Sequence, residues 1–535
     1  MKKTNSFHCL SVPLALSALL IGVGSAMPAH ADDPSGQLKV AARQDICMDL
    51  ASNSVDIELK GCNGNASQKW YYVDFNGGVM IKNEARGERY CLRSYPSGSV
   101  NMDSCSGSGY SSSRTWYNKI HSDGSYEISN KFINDLGRKN HLLQSVKNKV
   151  FVQGVASQSE KSWLSVTPLP LEKLRKVTGE KKIALLVTHY DGDKPANTDT
   201  IAQAVFGQKE NFTSLRQFVN LASENKLNLT GEVFDNINLG PKPNHCNLQP
   251  IRALINNKAK EKGINLDQYD YVFTELTANK KCNYSGLAAM PGNWILSNAS
   301  GHKYWMWSHE FGHNLGFNHI KSLQKCTVSN KVVQVDNKCD EMTKNSTDIT
   351  DTMGGGGGHL YPVNYQYLLG WLDEAQVPLI SKFSDLYNLS PVWQNDKTQG
   401  IKGLRIPRND GSFMILEYRQ PQTGFEDWAQ NDPVVNGVTV RTYKLGSGTV
   451  QNTIIDTTPG SRAAAQDTRD AQLTVGKSLY DALSNKMITV VSADRNGAVI
   501  KVESVSERHD AEILRYDGVI LGPYLLKDSA VFNRQ

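Results

Sequence analysis

Eleven consecutive residues constrain this chain more than any others. His309-Glu310-Phe311-Gly312-His313-Asn314-Leu315-Gly316-Phe317-Asn318-His319 reads H-E-x-x-H-x-x-G-x-x-H. His309 and His313 stand four apart, so on a helix they share one face and grip one metal ion. Glu310 lies beside that face, within reach of a water on the metal. Gly316 can take the left-handed conformation that ends a helix and turns the chain back, which lets His319 supply a third imidazole. Three protein ligands leave a fourth position open for water, the pattern of a catalytic rather than a structural zinc (Zn2+) site. Trp307, Phe311 and Leu315 recur every four residues and give the same helix an apolar stripe beside the ligand face. Two imidazoles and a carboxylate packed so closely are costly to bury without a metal or partners.

The motif resembles that of the metzincin zinc endopeptidases. Those carry a methionine turn downstream, and Ser346-Thr347-Asp348-Ile349-Thr350-Asp351-Thr352-Met353-Gly354 fits it, with Met353 34 residues after His319. The D-x-x-x-M-G pattern, with Tyr365-Gln366-Tyr367-Leu368-Leu369-Gly370-Trp371-Leu372 after it, is similar to the gametolysin-like peptidases in particular. So is the upstream run Tyr269–Phe273, then Cys282, Gly286-Leu287-Ala288 and Trp294. The resemblance covers roughly residues 180–375. It implies zinc on His309, His313 and His319, Glu310 as general base, Met353 as a structural floor and an extended substrate along Gly286–Leu296. Some metzincins place a tyrosine ligand two residues after the methionine; Gly355 stands there, so no fifth ligand is expected.

Lys2, Lys3, an apolar stretch from Leu10 to Val23 and Ala29-His30-Ala31 read as a secretory signal over 1–31. No other segment approaches the apolar length needed to span a membrane. The chain has 58 Lys and Arg against 53 Asp and Glu; loss of Lys2 and Lys3 with the leader leaves 56 against 53, a net charge of +3. That excess is too mild to argue for nucleic acid or an anionic surface. Cys9 falls in the leader, and eight of nine cysteines remain. An even number in an exported chain favours disulfides. Proximity and repeat symmetry pair Cys47 with Cys62, Cys91 with Cys105, Cys246 with Cys282 and Cys326 with Cys339. No C-x-x-C pair exists, which argues against a cysteine zinc site.

Residues 36–167 repeat internally. Trp70, Trp116 and Trp163 stand 46 and 47 residues apart, each ending a similar phrase: Gln68-Lys69-Trp70, Arg114-Thr115-Trp116 and Lys161-Ser162-Trp163. Two phrases follow matched cysteines, and the third, after Leu142-Leu143-Gln144-Ser145, does not. Alternating apolar residues between Gly, Asn and Ser turns indicate short strands. Three units of this kind resemble a ricin B-type lectin, a β-trefoil. The resemblance marks Asp49 and Gln68 as carbohydrate-binding positions, while Lys60 replaces the expected aromatic platform and Arg93 replaces the second repeat's aspartate.

The expected architecture is therefore multidomain: signal peptide 1–31, all-β trefoil 32–170, α/β metzincin-like catalytic domain 175–375 and β-sandwich-like accessory domain 376–535. Pro168-Leu169-Pro170 begins the linker. Lys181–Thr188 and 269–276 read as strands, and 199–225 and 249–262 carry helical spacing. His189, His245, His302 and His359 are surplus to the ligand set. The run Gly354–Gly358 lacks the Lys and Ser/Thr of a phosphate loop and reads as a loop beside the cleft. The expected function is a secreted zinc endopeptidase acting on a protein or glycoprotein, with the trefoil directing it to glycans. The rival is a carbohydrate-binding adhesin on an inactive peptidase scaffold, and retention of Glu310 argues against it.

Overall fold

A computed structural model describes residues 36–505 apart from 107–110, 139–140, 147–148, 155–160, 166–170, 172, 208–212, 344–346, 356, 381–383, 394–399, 423, 447 and 464–465, and beyond them a strand pair at Leu514–Tyr516 and Val519–Leu521. The expected signal at 1–31, Pro168, Pro170 and Ser346 lie outside the described residues. The chain is mostly β and multidomain. Among the described residues no helix is long and apolar enough to cross a membrane.

Twelve strands, β1 to β12, occupy residues 36–165. Their three-fold pattern centres on the repeat tryptophans, each fully buried. Trp70 Nε1 donates to the Met48 carbonyl, Trp116 Nε1 to that of Leu92 and Trp163 Nε1 to that of Leu143, at 2.9, 2.9 and 2.8 Å. Each ring thus fills the core while its one polar atom is satisfied. The cysteine repeat has the same logic. Cys47 lies opposite Lys60 and Cys62 N–H bonds the Asp45 carbonyl; Cys91 lies opposite Asp103 and Cys105 N–H bonds the Arg89 carbonyl. The two pairs hold equivalent diagonal positions, and with the three tryptophans they give the twelve strands a trefoil-like repeat.

Three of the four expected disulfides are formed: Cys47–Cys62, Cys246–Cys282 and Cys326–Cys339. The fourth expectation is corrected, because Cys91 and Cys105 are thiols. They share a hydrogen bond: contact with Cys105 and burial push the Cys91 thiol up, while the Cys91 hydrogen bond, Lys82 and Arg114 pull Cys105 down. The two sulfurs lie side by side near Lys82 and Arg114 without a covalent bond.

A five-stranded sheet follows. Its order is β14 (Leu227–Asn238), β13 (Gly179–His189), β15 (Tyr271–Leu276), β17 (Trp294–Asn298) and β16 (Gly286–Ala288). The first four are parallel, and β16 is an antiparallel edge. Helices cover both faces, so β13 is a continuous buried run through Ile183–Val187. Ile183, Leu185 and Val187 face Ile201, Phe218 and the site helix Tyr304–Leu315; Leu186 faces Ile251 and Ile255 of helix Leu248–Glu261. The helical pattern over 199–225 forms two helices, Thr198–Phe206 and Leu215–Ala222, the second capped by the Ser214 hydroxyl on Gln217 N–H.

Two further sheets form a sandwich, and they cross the boundary drawn at residue 375. After the site helix come β18 (Lys321–Gln324), β19 (Thr327–Ser329), β20 (Val332–Val335) and β21 (Asp340–Met342). β18 pairs in parallel with Thr449–Ile455, and β20 with Ser478–Asp481. The Cys326–Cys339 bridge closes this inserted segment. Between the sheets lie Leu404, Leu416, Val440, Leu479, Ile488 and Ile500, all buried. On the other side, Leu174 and Val177 are buried with the half that carries the five-stranded sheet, and Trp371 Nε1 bonds the Val177 carbonyl at 2.7 Å.

Two truncations therefore have opposite expected outcomes. Among the described residues, starting at Leu171 breaks chiefly the bonds of Lys119 and Ser122 to Asn409; the remainder should melt within about 4 °C of the full chain, the shift produced by ~1 kcal/mol in a domain of this size. Stopping at residue 375 strips β18 and β20 of their partner strands and should abolish the transition of the five-stranded-sheet domain, leaving only that of the N-terminal strands by circular dichroism.

Candidate metal centre

The site helix Tyr304–Leu315 is fixed by its apolar stripe. Trp307 stacks on Phe273 at 5.4 Å between centroids, and Phe311 meets Tyr271 edge-on at 5.1 Å. Trp307 Nε1 bonds the Gly301 carbonyl at 2.7 Å, and Asn314 Nδ2 bonds the Ala289 and Trp294 carbonyls at 2.9 and 3.1 Å. The helix is thus locked to the sheet by the face opposite its histidines. Gly316 caps it with φ +100°, and a Cβ there would press on the Gly448 carbonyl at 2.6 Å.

The three predicted ligands converge. His319 Nε2 lies 3.1 Å from both His309 Nε2 and His313 Nε2. The other nitrogens are committed: His309 Nδ1 faces the Thr352 carbonyl at 2.8 Å and His313 Nδ1 faces the Phe317 carbonyl at 2.7 Å. A carbonyl accepts, so both Nδ1 atoms carry the proton and both Nε2 atoms present lone pairs. His319 can donate one proton to one of them. The remaining lone-pair encounter calls for a cation. Zinc bound tetrahedrally at about 2.0–2.1 Å sets its nitrogens about 3.3 Å apart, so the donor set fits that ion. Burial pushes His309 and His313 down to about 4 and lowers His319, so the rings are neutral at physiological pH. Among the described residues this is the one cluster of three His, Cys, Asp or Glu side chains able to hold a metal.

Glu310 is 7% exposed, and burial pushes its carboxyl up to about 8. A cation at the imidazoles would draw it back down. Gly286 on the edge strand leaves room for it, since a Cβ there would sit 2.6 Å from Glu310 Cγ and Oε1. Met353 is buried beneath the helix, and a Cβ on Gly312 would overlap its sulfur. The surplus histidines stay apart: His189 meets Asn236, His245 accepts from Asn247 N–H, His302 is exposed, and His359 stacks on Trp428.

Sequence reasoning missed the brace around the third ligand. Phe317 bridges to Val450, Val450 N–H bonds the Gly316 carbonyl at 2.9 Å and Asn318 N–H bonds the Val450 carbonyl at 3.0 Å. Gln451 Nε2 donates to the His319 carbonyl at 2.7 Å. The methionine turn is held from the same sandwich: Arg441 Nε bonds Asp348 at 2.6 Å, and its Nη1 bonds Glu417 at 2.6 Å. No local signal marks these residues, because they lie about a hundred positions away in sequence.

Asp49 and Gln68 are also brought together. Gln68 Nε2 donates to Asp49 Oδ2 at 2.9 Å and to the Gly61 carbonyl at 2.9 Å, while its Oε1 accepts from Asn63 N–H and Gln37. Both side chains are buried, at 3% and 0% exposure, so they knit the trefoil core rather than present a surface.

Neither a family model nor a curated protein matches the sequence. Among solved structures, the chain is similar to a mosquitocidal holotoxin over 25% of its own length and 17% of that chain (20% identity, TM-score 0.21). It is similar to the designed three-fold symmetric protein ThreeFoil over 25% of its length and 99% of that chain (17% identity, TM-score 0.21). The Vibrio vulnificus hemolysin/cytolysin β-trefoil lectin, solved with N-acetyl-D-lactosamine bound, matches over 26% of this chain and 100% of its own (16% identity, TM-score 0.21).

Loss of a bond that orients a ligand typically weakens metal binding by about 10–100-fold. Gln451→Ala should therefore release zinc at least about tenfold more readily in competition with a chromogenic chelator, with an unchanged melting temperature for the metal-free protein.

Proposed function

We propose that the chain is a secreted zinc-dependent endopeptidase of metzincin type, with an N-terminal lectin-like trefoil. The observation that carries this is the convergence of three imidazoles beside a buried carboxyl, Glu310, that has no hydrogen-bond partner among the described residues. Zinc there would supply a Lewis acid for the scissile carbonyl and lower the pKa of its water to about 7.

The protein's own groups do the rest. The Thr352 and Phe317 carbonyls fix which nitrogen of His309 and His313 faces the metal. Glu310 takes the proton of the attacking water and returns it to the leaving nitrogen. Its desolvated pocket makes it a stronger base than a surface carboxylate. The edge strand β16 has a free side, and an extended peptide adds there as one more strand. That placement brings the peptide past Gly286, next to Glu310. Disulfides in three places suit an exported chain.

Glu310→Gln keeps the size of the side chain and removes the base. Turnover of a casein-type substrate should fall by at least ~10²–10⁴-fold, with zinc content and melting temperature near those of the unaltered protein. His319→Ala should instead lose zinc. A zinc-loaded Glu310→Gln protein that cleaves at the normal rate would end the assignment of Glu310 as base.

A further inference from the structure

The outer face of the five-stranded sheet is incompletely covered. Helix Leu248–Glu261 packs over β13 and β14, and beside it lies a groove of about 680 Å³. Its floor is the alternate residues Val272 and Thr274 of β15 and Trp294 and Leu296 of β17, which sit opposite one another in register. This is the face of the sheet opposite the site helix.

Arg252 and Lys260 stand two turns apart on one stripe of the helix, with Asn256 between them, and all three line the groove. The Arg252 guanidinium lies over the Trp294 ring at 4.2 Å. Its burial lowers its pKa, so it has given up part of its hydration. Among the described residues neither Arg252 nor Lys260 donates a hydrogen bond or forms an ion pair. The groove contains one carboxylate, Asp267, with no ion pair to either cation, so the lining carries a net positive charge. A guanidinium held over an indole, with its side-chain donors unbonded among the described residues, can offer two of them to the oxygens of a planar anion.

We propose that this groove binds a small organic anion, a carboxylate or sulfate-type group carried on an apolar body. Arg252 meets the anion with its fork, Lys260 adds charge at the far end, and the apolar floor takes the body. The groove lies on the face of the sheet opposite the site helix and shares neither the three histidines nor Glu310, although the Trp294 carbonyl also holds Asn314 of that helix.

Full-length protein titrated with benzoate, benzenesulfonate and benzamide by ligand-observed magnetic resonance tests this. The three share a ring and differ in the charged group. Saturable binding of at least one anion, about tenfold or more tighter than benzamide, is expected. Arg252→Met keeps an apolar stem over Trp294 but no donors; it should weaken anion binding about tenfold and leave benzamide, peptidase activity and melting temperature unchanged. Arg252→Lys, which keeps the charge without the fork, should fall between. The ranking of benzoate against benzenesulfonate identifies the anion type. Equal affinity for the anions and benzamide, or undiminished binding by Arg252→Met, would overturn the proposal.

Discussion

Lone pairs on neighbouring imidazoles repel, and the nitrogen contacts of 3.1 Å around His319 are held only if something pays out that repulsion. The structure does so partly by geometry. Two carbonyls fix the tautomers of His309 and His313, burial keeps both rings neutral, and packing of Trp307 and Phe311 denies the helix a rotation that would separate them. A cation bound there, as proposed, would offset the remaining electrostatic cost. The features around the site follow from this constraint. Glycines at 286 and 312 let Glu310 and Met353 approach closely, and Gly316 turns His319 back towards its partners.

The brace for that arrangement lies in the sandwich. A buried chain of alternating charges runs Asp348–Arg441–Glu417–Arg419–Glu426, with contacts of 2.6–2.8 Å. Glu417 and Glu426 also accept the Val363 and Leu360 N–H groups, which anchors the segment after the methionine turn. Burial would raise Glu417, but two guanidiniums hold it at about 2. Such a chain contributes little net stability compared with apolar packing, but removing one member leaves a buried charge unpaired, at a cost of about 3–5 kcal/mol. Its role is geometric: it fixes the turn whose Thr352 carbonyl sets the tautomer of His309. His319 depends on the same sandwich through Val450 and Gln451.

Local pattern was enough to bring the three histidines together. A helix periodicity and one cap glycine put His309, Glu310, His313 and His319 together, and the four-residue spacing of Trp307, Phe311 and Leu315 gave the buried face. The spacing of Trp70, Trp116 and Trp163 likewise located three equivalent core positions. Non-local pairing was not legible. The strands between Lys321 and Met342 alternate as any edge hairpin would, and nothing in that pattern says that their partners begin more than a hundred residues later. The cysteine repeat placed Cys91 beside Cys105, but spacing does not show that both remain thiols. Asp49 matched a ligand position by resemblance, while its burial under Gln68 is set by tertiary packing.

X-ray absorption at the zinc edge of the zinc-loaded protein tests the central claim most directly. Three imidazole nitrogens and one oxygen at about 2.0–2.1 Å are expected, as in an open tetrahedral site. A sulfur shell near 2.3 Å would place the metal at Cys91 and Cys105 instead, and fewer than three imidazoles would contradict the convergence of His309, His313 and His319 on one ion.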